Sequence, residues 1–259
     1  MVTTVTFDAN ALARINEHAG VVSALGDGRI KGYFSQTYRS LEGIQKNDRA
    51  EALAKTNVVR RSTSPDNQTA NITIEVRHYR PPLDEKYQAA VEEALSLGLR
   101  ALRGPARWVD GLTVKDPDQS FYVVETIQEM VAHRENVNKV AAAIEMRGVG
   151  RAIALELGNQ YNASVGVTPA NPKLWLEGLG HAKTKAQRKT VAKAIAEWSD
   201  GDGIASHVGY GIDLYCSDDF GHNAGGPTIM NLENRAWLSS VYGVVFVTLS
   251  ELAEKLNVG

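Results

Sequence analysis

Apolar residues along this chain recur with two periods, one typical of strands and one typical of helices. Residues 2–7 are rich in β-branched and aromatic side chains and predict a strand, after which residues 11–15 begin a helical pattern. A second helix is predicted at residues 35–44. The N-terminal segment therefore reads as a strand followed by helices, with the acid Asp8 at the first junction.

The C-terminal segment shows the clearest alternation. Strands are predicted at residues 212–216 and 244–247, and a helix at residues 232–241 ends at Gly243. Thr248 opens a further helix as part of a capping box. Because strands and helices alternate, the sequence predicts an α/β fold with a parallel sheet.

The middle of the chain mixes the two periods. Strands are predicted at residues 71–79 and 121–124, a capped helix at residues 84–102, and a longer, interrupted helix at residues 137–157. Thr184 begins a capping box for another helix. No internal repeat or low-complexity tract separates these elements.

Composition excludes several classes of protein. The 259 residues are 43% apolar and 22% charged, which is ordinary for a globular protein, and the formal net charge is −2. The chain therefore has no global basic field, and a polyanion would need local basic patches or a metal. With Cys216 as the only cysteine, a disulfide framework within the chain is impossible. Without a secretion signal or an apolar stretch long enough to span a bilayer, we expect a cytoplasmic protein that does not enter membranes.

Acidic residues follow two of the predicted strands. Asp8 comes just after the first strand, Asp218 and Asp219 come just after residues 212–216, and Asp202 is predicted to open the helix before that strand. Ligands of parallel α/β sheets bind outside the carboxyl ends of the strands, so these acids could converge. Clustered carboxylates repel one another, and a bound Mg²⁺ or Mn²⁺ offsets that repulsion. Helix capping is the competing explanation for each acid.

The same segments resemble the motifs of PIN domains, a family of metal-dependent nucleases. Residues 6–10 (Thr-Phe-Asp-Ala-Asn) resemble the opening strand with its metal-binding Asp. Residues 202–205 followed by residues 212–218 are similar to the later signature, an Asp opening a helix and then a strand running into Thr-x-Asp. Residues 242–251 resemble the closing strand and helix, and residues 35–42 resemble the segment that carries a helical Glu.

The resemblance implies a parallel-sheet core with helices on both faces. It implies that residues 1–50 and 195–259 form this core and that residues 51–194 are an inserted lobe of mixed helix and strand, since family members are about half this length. The implied activity is hydrolysis of RNA with one or two ions of Mg²⁺ or Mn²⁺ as the cofactor.

The resemblance also assigns roles to residues. The implied catalytic acids are Asp8, Glu42, Asp202 and Asp218, and the implied metal ligands are Asp8, Asp202, Asp218 and Asp219. Asp200 could take the place of Asp202, and Asp219 that of Asp218. Asn10 is expected to orient a metal-bound water or contact the substrate. Cys216 stands where the family has Thr, which removes a hydroxyl from the predicted site.

Basic residues of the middle segment are candidates for contacts with RNA. The predicted strand at residues 71–79 places Arg77 and Tyr79 on one face, with Arg80 beyond it, so that a phosphate and a stacked base could both be bound. A solvated edge strand that resists aggregation through its charges explains the same pattern. A second basic cluster, at residues 183–189, lies at a helix start, where cations oppose the helix dipole.

These observations favour a metal-dependent ribonuclease with RNA as its partner. The alternative is a PIN-like module that binds RNA or a protein without cleaving, and self-association is a further possibility for the insertion. A phosphoryl-accepting domain using Asp8 is a third hypothesis, which is weakened because Asn10 stands where a second Asp would be expected.

Overall fold

The computed structural model describes residues 2–55, 83–106, 120–167, 175–220 and 227–257. Within these residues five strands form one sheet, all of them parallel, in the order β3-β2-β1-β4-β5. The predicted α/β fold with a parallel sheet is confirmed. The strands are β1 (Thr3–Phe7), β2 (Ile30–Ser35), β3 (Arg100–Leu102), β4 (Leu214–Cys216) and β5 (Val245–Val247).

Helices connect and cover these strands in the described part of the chain. Four of the predicted helix starts and ends are observed: the Asp84 cap, the two capping boxes at Thr184 and Thr248, and the left-handed Gly243 at a helix end. The α-helices are α1 (Ala9–Arg14), α2 (Ala19–Gly26), α3 (Arg49–Lys55), α4 (Glu85–Ser96), α5 (Ile127–Met146), α6 (Arg151–Ser164), α7 (Trp175–Leu179), α8 (Lys185–Gly209), α9 (Leu232–Tyr242) and α10 (Leu249–Asn257). A 3₁₀ turn (Ile15–Glu17) and a π-helical turn (Tyr38–Glu42) complete the set. None of the helices described is both long and apolar enough to cross a membrane.

The two ends of the chain meet in the centre of the sheet. β1 pairs with β2 on one side and with β4 on the other, so that Phe7 stands beside both Phe34 and Cys216. The Asp8 amide then donates to the Cys216 carbonyl at 3.0 Å. The carboxyl ends of β1 and β4 therefore open side by side, which brings Asp8 next to the segment that follows Cys216.

Both faces of the sheet are covered. On one face, α1, α2, α4 and α10 pack on Val5, Phe7, Phe34 and Cys216. On the other face, α5, α8 and α9 pack around Tyr215. The long helix α8 lies directly on the central strands there, since His207 hydrogen bonds with Thr6.

A second cluster of buried residues is helical. It consists of α3, α6, α7 and the first half of α8, packed around Trp175 and Trp198, and is called the helical lobe below. Two glycines permit its closest contact. A Cβ on Gly158 or on Gly178 would stand closer than 3.0 Å to backbone atoms of the facing helix, so α6 and α7 touch through their main chains.

Two strands were not predicted, and the boundaries of the middle segment change with them. No element was predicted for residues 30–34 of β2, and only Ser35 falls in the helix predicted at residues 35–44. β3 was predicted as the end of a helix at residues 84–102. β3 pairs with β2, so part of residues 51–194 belongs to the same sheet as the two ends of the chain. The predicted strand at 121–124 is reduced to one bridge from Tyr122 to Ala101. The predicted strand at residues 71–79 lies outside the described residues.

The helices of the middle segment agree with prediction in one respect and differ in another. The interruption predicted within residues 137–157 is observed, since α5 and α6 are separated and Gly150, which has a φ of 63°, caps the start of α6. In contrast, α8 is continuous over 25 residues and includes residues 202–208, predicted as a separate short helix. Asp202 therefore lies inside α8 and opens no helix.

Candidate acidic active site

Asp8 lies at the junction of β1 and α1. One carboxylate oxygen accepts from the Ala11 amide at 2.7 Å and caps α1, and the other accepts from the Ser217 hydroxyl. Burial raises the pKa of Asp8 to about 7, and the charges of Glu42 and Asp219 act in the same direction. Asp8 is thus a carboxyl group whose negative charge the protein only partly compensates.

Glu42 is brought beside Asp8 by the π-helical turn that follows β2. Its side chain is buried and hydrogen bonds with Ser199, and burial raises its pKa. The backbone of this turn is fixed by the buried Arg49, which donates to the carbonyls of Glu42 at 2.7 Å, Ile44 at 3.0 Å and Ala192 at 3.0 Å. The predicted membership of Glu42 in an acidic cluster agrees with this position.

Asp200, rather than Asp202, is the acid that α8 presents to this cluster. Its pKa is raised well above the usual value by burial and by the charges of Glu42, Glu197 and Asp8. Asp202 accepts from the Trp198 indole N–H at 2.9 Å instead. Two positions along a helix turn the side chain by about 200°, so the two aspartates lie on opposite faces. The structure thus places Asp200, the substitute named for Asp202, beside Asp8 and Glu42, and places Asp202 away from them.

The segment after β4 contributes Ser217 and two aspartates. Asp218 is paired with Arg14 at 2.7 Å and accepts from the Leu249 amide at 3.1 Å, which uses both of its oxygens. Asp219 is exposed and lies on the cleft described below. Ser217 stands two residues before Asp219 and donates to Asp8, so the hydroxyl predicted to be lost at Cys216 is present one residue later.

Two cavities meet at Asp200. A small cavity of about 10 Å³, close to the volume of one water molecule, is lined by Asp8, Glu42 and Asp200. A large cleft of about 810 Å³ runs between α6 and α8 and is lined by Asp200, Asp218 and Asp219. Asp200 therefore borders both cavities.

Glu197 is a further acid of the cleft that the sequence did not single out. It accepts from the Ile229 amide at 2.6 Å and the Gly150 amide at 3.1 Å, and burial raises its pKa. These bonds fasten the start of α6 and the segment before α9 to α8. The available signal was its spacing, since Glu197 lies three residues before Asp200 and so shares its helix face.

The other predicted contacts are distributed differently. Asn10 is exposed and lines the cleft together with Arg14 and Lys193, so it stands where a substrate could contact it. Arg77, Tyr79 and Arg80 lie outside the described residues. Cys216 is fully buried, and burial raises the pKa of its thiol.

No arrangement of three or more His, Cys, Asp or Glu side chains suited to hold a metal ion occurs within the described residues. The donor set is nevertheless that of a hard cation, because every group around the small cavity that carries charge is a carboxylate. Within the described residues, no Lys or Arg pairs within 4.0 Å of Asp8, Glu42 or Asp200. No family model, no curated protein and no solved structure matches the chain.

Proposed function

We propose that this protein is a divalent-metal-dependent ribonuclease of the PIN-like kind. The observation that carries the proposal is that Asp8, Glu42 and Asp200 line one cavity at the carboxyl ends of β1 and β4, and that this cavity adjoins an open cleft. In the Thr-x-Asp signature a residue with a hydroxyl stands two positions before an Asp. Ser217 and Asp219 share both the hydroxyl and this spacing, whereas Cys216 and Asp218 share only the spacing.

The chemistry of the acids supports Mg²⁺ or Mn²⁺ as the cofactor. Asp8, Glu42 and Asp200 all have raised pKa values, chiefly because they are buried, and for Asp8 and Asp200 the charges of neighbouring carboxylates raise the pKa further. A bound cation would offset this cost. Mg²⁺ is commonly held by only one or two protein carboxylates, with waters and substrate phosphates completing its shell. Asp8 and Asp200 would hold the ion, with Asp219 placed to bind it from the cleft side.

The residues of the site divide the work of phosphodiester hydrolysis. A bound divalent ion would supply an activated water and neutralise charge on the phosphate. Glu42, whose backbone carbonyl accepts from Arg49, would accept the proton that the attacking water loses. The P–O bond to the leaving oxygen breaks as the new P–O bond forms, and a second proton from solvent in the cleft neutralises that oxygen.

The test compares matched pairs of aspartates on the same segment. Cleavage of a fluorescent single-stranded RNA with Mg²⁺ or Mn²⁺ should be lost in Asp8→Asn and Asp200→Asn and retained in Asp202→Asn. Likewise, Asp219→Asn should impair cleavage more than Asp218→Asn does. Wild-type protein that cleaves no RNA with either metal would refute the proposal.

A second candidate is a module that binds RNA or a protein without cleaving. It is favoured by the fact that both oxygens of Asp8 already accept hydrogen bonds from the protein, from Ala11 and Ser217. Calorimetric titration with Mn²⁺ separates the candidates, because a silent module needs no ion, whereas the proposed nuclease should bind Mn²⁺ and lose that binding in Asp8→Asn.

A further inference from the structure

We propose that the exposed face of the first half of α8 binds the phosphate backbone of the RNA strand that enters the cleft. This inference rests on the proposed function and gives it a substrate-binding surface. The surface, called the basic ridge below, consists of three exposed lysines four residues apart: Lys185, Lys189 and Lys193.

The two halves of α8 carry opposite charges. Residues 181–196 contain no Asp or Glu, and the cations in this stretch are Lys183, Lys185, Arg188, Lys189 and Lys193. The acids Glu197, Asp200 and Asp202 follow within the next six residues. The helix is thus positive where it belongs to the helical lobe and negative where it reaches the acidic site.

The charge of the basic ridge is not neutralised by the part of the protein that the structure describes. There, no carboxylate lies within 4.0 Å of any of the three ridge lysines. Lys185, in the first turn of α8, also opposes the helix dipole, so its position is unfavourable by itself. A polyanion that lies along the ridge removes this cost and releases its own counterions.

The geometry of the ridge fits an extended strand. At a rise of 1.5 Å per residue, lysines four residues apart stand about 6 Å apart along the helix, a spacing at which successive phosphates of one strand can be contacted. Lys193 itself lines the 810 Å³ cleft together with Asp200 and Asp219. The ridge therefore leads, in about two helical turns, from the surface of the lobe to the cleft that Asp200 and Asp219 line.

The experiment measures binding in the Asp8→Asn background, where the strand should be bound but not cut. A short fluorescent oligoribonucleotide is titrated at a series of KCl concentrations without divalent ions. For Lys189→Ala/Lys193→Ala we expect the slope of log affinity against log salt to fall by about 1.4, or about 0.7 per lost phosphate contact. Affinity at the lowest salt should fall on the order of tenfold.

The control removes two lysines from another surface of the protein. Lys86 and Lys255 are exposed on α4 and α10, which cover the opposite face of the sheet, so Lys86→Ala/Lys255→Ala should leave the slope unchanged. Alanine is the best helix former, so all these variants should fold. The pair Lys189→Gln/Lys193→Gln repeats the test with polar side chains.

An unchanged slope in both ridge pairs would overturn the inference. Equal, ridge-dependent binding of poly-glutamate would also overturn it, because it would assign the ridge to an acidic protein segment. A ridge-dependent slope in a protein whose wild type cleaves no RNA would retain the ridge and refute the nuclease. RNA cleavage by the wild type, with a salt slope that does not depend on the ridge lysines, would retain the nuclease and refute the ridge.

Discussion

The acidic site and the helical lobe are stabilised in opposite ways. At the site, carboxylates are buried close together at an energetic cost, and both their burial and their mutual repulsion raise the pKa values of Asp8 and Asp200. In the lobe, α6 and α7 approach until their main chains touch at Gly158 and Gly178. We therefore expect that removing a negative charge stabilises the site, whereas adding one methyl group destabilises the lobe.

The largest effect is expected in the lobe. In Gly178→Ala, the new Cβ would stand well inside contact distance of the Gly158 carbonyl, and backbone cannot move aside as a flexible side chain can. We expect a loss of more than about 3 kcal/mol of unfolding free energy, at the upper end of overpacking effects. Chemical denaturation measures it. Gly26→Ala, which meets nothing within 4 Å, should cost almost nothing; equal losses in both variants would contradict the close-packing argument.

Arg49 connects the two regions, since it belongs to α3 and fixes the backbone carbonyls at Glu42 and Ala192. In Arg49→Lys the charge is kept, but the single ammonium cannot reach all of these carbonyls. We expect a loss of about 1.5–3 kcal/mol, the range for a hydrogen bond to a charged group. The rate of RNA cleavage by the folded variant should fall as well, because the backbone of the proposed proton acceptor, Glu42, is no longer held in place. Lys46→Ala, an exposed cation near Glu42, is the control. An unchanged cleavage rate in Arg49→Lys would limit Arg49 to a structural role.

Asp8→Asn should stabilise the metal-free protein, and the effect should depend on pH. The pKa of Asp8 is raised from 3.8 to about 7, so the folded protein holds this proton more tightly than the unfolded chain does. Its contribution to stability is present below pH 3.8 and is lost as pH rises through 7. The shift sets a ceiling of about 4 kcal/mol, and coupling to Asp200 reduces it, so we expect a gain of about 2 kcal/mol at pH 8.

Thermal unfolding in the presence of a chelator, at pH 4 and at pH 8, measures this gain. Asn retains the helix cap, so the cap is not a confounding change. Asp202→Asn serves as the comparison because that carboxylate accepts from Trp198 and lies away from the cavity. A destabilised Asp8→Asn at pH 8 would mean that the site is not held against like charges.

The smallest effect on stability is expected at His207, which lies on α8 and is buried against the sheet. Burial lowers its pKa to about 3, so it is neutral when folded and takes up a proton only on unfolding. Its contribution is complete above the usual pKa of 6.5 and is lost as pH falls towards 3. Between pH 7 and pH 5.5 we expect a loss of about 1 kcal/mol from this group. His207→Gln should flatten that part of the stability profile, and an unaltered profile would contradict the assignment.

The elements that were predicted correctly have strong local signals. The capping boxes at Thr184 and Thr248 and the C-terminal Gly243 are settled within one helical turn, and each is observed. β2 was not predicted, because its local signal is weak. Gly32 weakens its strand pattern, and the structure shows that a Cβ there would collide with Leu25 and Leu99. Gly32, which weakens the strand pattern, is therefore required by its close contact with Leu99, a residue distant in sequence.

The candidate site divides in the same way. Asp8 was predicted because the end of a first strand is a local feature. Asp219 was named as a metal ligand and as a substitute for Asp218, and Asp200 only as a substitute. The choice between Asp200 and Asp202 depends on which face of α8 is turned towards β1. The Asp218 carboxylate is paired with Arg14, which is 204 residues away in sequence. Neither relation can be predicted from neighbouring residues.

The sequence by itself determined the α/β class, the ends of several helices and the carboxylates from which a site could be built, because these follow from side-chain period and from bonding within one turn. The tertiary structure alone decided the order of the strands, the assignment of β3 to the sheet and the selection among adjacent acids. Those depend on how α8 crosses the central strands and on pairings between distant segments, in which a rotation of one or two residues reverses the direction of a side chain.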